Sequence, residues 1–73
     1  MAEIALRVRL IGGDRLDVTY AEPDTAEAEV VDHAISALAT DSGALRSRHG
    51  GRLMVLYGRG VAALEVAPRG AVL

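Results

Sequence analysis

Two apolar runs near the end of the chain limit its folding choices more than any other feature. Leu53 to Tyr57 is the longest uninterrupted run, a second begins at Val61, and Gly58-Arg59-Gly60 stands between them. Short apolar runs bounded by glycine read as strands. Residues 52–57 and 61–67 are therefore expected to form a β-hairpin with its tight turn at Gly58–Gly60. Successive side chains on a strand point to opposite faces, so Leu53, Val55 and Tyr57 share one face and Met54 and Leu56 the other. A strand that is apolar on both faces is usually covered on both.

What could cover it is limited by size. A chain of 73 residues makes one small domain, and near this length folding buries only roughly 60% of the surface of the unfolded chain. Small domains are commonly supplemented by disulfides, a metal or association. Cysteine is absent, which removes disulfides, thiolate metal sites and a cysteine nucleophile. Two histidines without cysteine do not make a standard structural zinc site. Association with another chain is the remaining supplement.

Phe and Trp are also absent, so a core drawn from the 51% hydrophobic residues must be built of Val, Leu, Ile and Ala. All eight basic residues are arginine, a bias expected of a GC-rich bacterial genome. No run approaches the ~20 apolar residues that span a bilayer. Met1-Ala2-Glu3 puts an acid where a signal peptide carries positive charge, so a cytoplasmic location is expected. The net charge of −2 conceals an asymmetry. Between Asp14 and Asp41 there are eight acids and one arginine, while from Ser42 onward there are five arginines and one acid. Opposite fields on two parts of one fold can steer a partner or orient self-association.

The remaining chain supplies the other elements. Ile4, Leu6, Val8 and Leu10 alternate with Glu3, Ala5, Arg7 and Arg9, the pattern of a half-buried strand. Ile11-Gly12-Gly13-Asp14 provides positive-φ residues for a hairpin turn, and Leu16, Val18 and Tyr20 point inward from the second strand. Asp24 or Thr25 is then placed to cap a helix that runs to about Thr40. Glu27 and Glu29 sit where the helix dipole favours acids, and Val30, Val31, Ala34, Ile35 and Leu38 form its apolar stripe. Gly43 is expected at or near the C′ position that ends the helix. Residues 44–49 read either as a loop or as a short strand with Leu45 inward and Arg46 and Arg48 outward. His49-Gly50-Gly51-Arg52 reads as another turn.

These elements predict an α+β fold: an antiparallel or mixed sheet of four or five strands with one helix on one face, in a ββα(β)ββ order. One helix covers one face only. The other face is expected to be covered by a second copy, through the sheet or an edge strand, or by another protein; the alternative is that the tail, Ala71-Val72-Leu73, folds back over it. Met54, Leu56 and Leu64, with Val72 and Leu73 of the tail, are the expected contact residues.

The strand–turn–strand–helix–strand–strand order, with Gly12-Gly13 in the first hairpin, resembles the ubiquitin-like β-grasp, the alternative fold. Sulfur carriers and modifiers of that family act through an activated C-terminal Gly-Gly. This chain ends Gly70-Ala71-Val72-Leu73, and its paired glycines are internal. Residues 29–66, with the pattern Val61-Ala-Ala-Leu-Glu-Val66, are also similar to small actinobacterial proteins of unknown function. That resemblance implies the ββα(β)ββ layout and no activity.

No catalytic pattern stands out. His33 lies near Glu29 and Asp32 on the helix, where a carboxylate could orient it as a base. A solvated histidine on an acidic helix face is the plainer reading, and no nucleophile accompanies it. Arg46, Arg48, His49 and Arg52 surround two glycines, a composition suited to an anion site; the Walker pattern is absent. The alternative is a solvated turn whose arginines balance the acidic helix. Arg7, Arg9, Arg46 and Arg48 would make a basic sheet face if strand order set them side by side. The pI near 5.5 and the scarcity of aromatics disfavour nucleic acid as its partner. An acidic protein partner, or the acidic helix of a second copy, fits better. No cofactor or metal is expected, and the residues point to a non-enzymatic interaction or accessory module; the alternatives are a β-grasp carrier-like protein or a small anion-binding protein using Arg46, Arg48, His49 and Arg52.

Overall fold

The computed structural model describes residues 2–67 of the chain, as five strands and one helix. Val72 and Leu73, expected on a contact face, lie outside the described residues. Strand β1 (Ala2–Leu10) and strand β2 (Arg15–Glu22) form the first hairpin, with Leu6 opposite Val18 and Val8 opposite Leu16. Its turn is closed by bonds from Leu10 N to Asp14 O at 2.8 Å and from Gly13 N to Leu10 O at 2.9 Å. Gly13, at φ 98°, takes the left-handed conformation this loop requires.

Helix α1 (Glu27–Leu38) starts later than Asp24 or Thr25 and ends before Thr40. Ala26 is its N-cap and supplies no side-chain bond. Asp24 is held at φ 52° in the preceding turn and Thr25 Oγ1 donates to Pro23 O at 2.9 Å; neither residue is the N-cap. Val30, Ala34 and Leu38 seat the helix on the sheet, with Val31 partly buried beside them. Ile35 falls off the stripe and is 49% exposed. Gly43 does not act as a positive-φ terminator: its N–H bonds to Thr40 O at 3.1 Å, and a Cβ there would overlap the Ala37 carbonyl.

Strand β3 (Ala44–His49) and strand β4 (Arg52–Tyr57) form a second hairpin. Gly50 at φ 54° and Gly51 at φ 85° supply the two left-handed residues of its tight turn. Of the two readings of residues 44–49, the strand is found. Strand β5 (Val61–Val66) completes the sheet.

The expected hairpin between β4 and β5 does not form. The sheet order is β4-β3-β2-β1-β5, all antiparallel, so these consecutive strands occupy opposite edges. Gly58–Gly60 is a single 3-10 turn that carries the chain from one edge to the other. In a flat sheet the edges would stand about 19 Å apart, four spacings of ~4.8 Å. From Tyr57 to Val61 even an extended chain spans at most about 14 Å. The sheet therefore curls until its edges approach at this corner. Two bonds fix the closure: Gly58 N to Gly43 O at 2.9 Å ties the turn to the start of β3, and Ile11 N to Gly60 O at 3.1 Å ties it to the end of β1.

The core fills the inside of the curl under α1. Leu6, Val8 and Val30 are fully buried, joined by Ile4, Val18, Ala34, Leu38, Leu45 and Leu56. Met54 and Leu64 pack against this cluster. The expected assignment of β4 faces is thus reversed: Met54 and Leu56 lie beneath the helix, while Leu53, Val55 and Tyr57 are exposed. Pairing with β3 decides it. Leu45 faces Leu56, and Ser47, buried and donating Oγ to Met54 O at 2.9 Å, faces Met54. With Leu45 inward, its partners follow.

Candidate interaction face

The helix-free side of the sheet gathers the odd-numbered positions of β1 and β2 and their neighbours. Arg7 stands opposite Asp17 and Glu65, Arg9 opposite Arg15 and Ala63, and Thr19 opposite Arg48. On β4, Leu53 pairs with Arg48, Val55 with Arg46 and Tyr57 with Ala44. The face thus has an apolar margin on its β4 edge and a basic interior. Arg7, Arg9, Arg46 and Arg48, considered together from the sequence, do share it.

Their surroundings differ. Arg7 Nε donates to Asp17 Oδ1 at 3.0 Å, and this bond, with the charge of Asp17, raises the guanidinium pKa above its ordinary value. Both partners are well exposed, so solvent screens the pair. The Arg59 guanidinium lies 5.3 Å from the Tyr57 ring centre, within cation–π range. Among the described residues, no ion pair holds Arg9 or Arg15.

The expected anion loop is only partly assembled. Arg48 and His49 border a shallow depression with Asp17, Gly50 and Gly51, but Arg46 and Arg52 are not in its lining. His49 Nδ1 donates to the Asp17 carbonyl at 2.6 Å. This spends one ring nitrogen on joining β3 to β2. A second depression, of about 330 Å³, is lined by Arg7, Arg9, Arg15, Ala63, Leu64 and Glu65. Arg15 joins the basic face because the Gly12-Gly13 turn places it across from Arg9, a relation carried by hairpin register.

On the helix side, His33 is not oriented by Glu29 or Asp32. Its Nδ1 bonds both Glu22 carboxylate oxygens, at 2.7 and 2.9 Å. Tyr20 Oη donates to the same carboxylate at 2.5 Å. The bond from Tyr20, then that from His33, hold the Glu22 pKa below its ordinary range. The bond to Glu22, followed by burial, pushes the Tyr20 phenol up to about 12. A phenol held protonated is a poor nucleophile at neutral pH. The trio satisfies itself and fastens α1 to the end of β2.

Among the described residues, no group of three or more His, Asp or Glu is placed to hold a metal ion. No described helix is long and apolar enough to cross a membrane. No family model, curated protein or solved structure matches the chain.

Proposed function

We propose that this chain is a non-enzymatic protein-interaction module that acts as a homodimer, its two sheets joined edge to edge through β4. The supporting observation is the exposure of Leu53, Val55 and Tyr57 along an edge strand. Unpaired edges invite pairing with another chain, and proteins commonly blunt them with charge, proline or a bulge. Residues 53–57 carry neither charge nor proline, and β4 pairs with β3 without a register shift.

The segment is self-complementary about Val55. Antiparallel pairing with a second copy, centred there, sets Leu53 opposite Tyr57 on the open face and Val55 opposite itself. Such an interface is isologous and closes at two subunits. It also supplements a core that is small for an isolated domain. The joined sheets would present the arginines of both copies on one continuous face.

Sedimentation equilibrium tests the reading. A dimer at micromolar concentration is expected, with Leu53→Glu or Val55→Lys giving a folded monomer. A wild-type chain that stays monomeric at these concentrations, or a dimer untouched by both substitutions, overturns it.

A further inference from the structure

The opposite margin of the open face, beside β5, lies apart from the β4 edge. Arg9 and Arg15 are direct cross-strand partners, both exposed. Like charges directly opposite on a sheet destabilise it. Arg7 beside them is bonded to Asp17 and faces Glu65, whereas Arg9 and Arg15 have no ion-pair partner among the described residues. All three arginines border the depression beside β5. On that strand, the residue opposite Arg9 is the small Ala63, which leaves the space above it open.

We propose that the Arg9–Arg15 pair is a receptor for a carboxylate carried on an acidic segment of a partner protein, lying in extended form along the free edge of β5. Each guanidinium is a planar fork able to donate two bonds to a carboxylate, and the pairing of Arg9 with Arg15 sets two such forks on adjacent strands. Charge selects the ligand: three arginines against Asp17 and Glu65 leave 3 − 2 = +1, which one carboxylate neutralises. A phosphate dianion would exceed that charge by one. A repeating polyanion such as nucleic acid would also meet Asp17 and Glu3 on the same face. β5 is a sheet edge, so its outer backbone groups are available to an added strand.

Fluorescence anisotropy of a labelled, otherwise uncharged hexapeptide carrying one central glutamate, titrated with the full chain at low salt, tests the proposal. Saturable binding that weakens as salt rises is expected, with the same peptide carrying glutamine in place of glutamate giving none. The double variant Arg9→Ala/Arg15→Ala should bind at least tenfold more weakly, and Arg52→Ala, outside the depression, less than twofold. Peptide-induced amide shifts should centre on residues 61–66. The proposal is overturned by any of three results: no saturable binding, an equal loss in Arg52→Ala, or tighter binding of inorganic phosphate or a single-stranded oligonucleotide. All three substitutions are at exposed side chains, so circular dichroism should show an unchanged fold. Because β4 lies at the other edge of the sheet, failure here leaves the dimer reading standing, and the reverse holds.

Discussion

The Gly58 amide donates to the Gly43 carbonyl at 2.9 Å, and both glycines lie hard against the C-terminal end of α1. A Cβ on Gly58 would overlap the Thr40 carbonyl, as one on Gly43 would overlap that of Ala37. The corner where the sheet curls shut is thus a backbone-to-backbone contact with no room for a side chain. Glycine is used here for close approach, since neither residue has a positive φ.

Gly58→Ala should therefore destabilise the fold by about 1–3 kcal/mol, the usual cost of forcing atoms into packed structure. Gly60→Ala, two residues on, meets nothing within 4 Å and should change stability by less than about 0.5 kcal/mol. Urea denaturation of the two variants makes the comparison. Equal effects would show that the turn, rather than its contact with the helix, sets the requirement.

The two faces of β4 should respond oppositely to charge. Leu56 is 5% exposed and Leu53 is 55% exposed. Leu56→Glu buries an unpaired carboxylate among aliphatic side chains and is expected to abolish folding, since domains of this size hold only about 4–11 kcal/mol in reserve. Leu53→Glu should keep the native circular dichroism spectrum while losing self-association. Leu6→Ala, in the centre of the core, should cost about 2–5 kcal/mol by denaturant titration.

Alkaline pH should act through Tyr20. Its folded pKa is raised from the ordinary 10 to about 12 by the bond to Glu22, then by burial. A raised value means the protonated form is favoured in the folded state. The resulting stabilisation is complete below pH 10 and is lost as pH rises toward 12. The chain contains no lysine to mask this window. Stability measured by denaturant titration should fall across it in the wild type, and less steeply in Tyr20→Phe.

Acid should act through the same cluster with the opposite sign. The Glu22 pKa is lowered, first by the Tyr20 bond and then by the His33 bond. Its contribution is present above the ordinary value of 4.5 and is lost as pH falls through the lowered folded value. Glu22→Gln should flatten the acid limb of the stability profile. An unchanged limb would mean that other carboxylates control it.

Much of this architecture was legible from residue order. The alternation from Ile4 to Leu10 and from Leu16 to Tyr20 gave the first hairpin and its inward face. The spacing of Val30, Ala34 and Leu38 gave the helix and the side it buries. Gly50-Gly51 gave the second turn. These are local properties: period, turn conformation and the exclusion of side chains from tight bends all act within a few residues. The α+β class and the single helix-covered face follow from them.

Three-dimensional packing settled what local pattern could not. Gly58-Arg59-Gly60 suits a hairpin turn and an edge-to-edge crossing equally, because both need a short, permissive link. Only closure of the curled sheet onto Gly43 and Ile11 chose the crossing. β4 is apolar on both faces, so its pattern carried no preference. Pairing of Leu56 with Leu45 decided which face is buried, and so moved the exposed apolar margin to Leu53, Val55 and Tyr57. The sequence by itself determined the elements and their inner faces wherever polarity alternated. Strand order and the inner face of β4 required the tertiary structure, because both depend on pairings between residues distant in the chain.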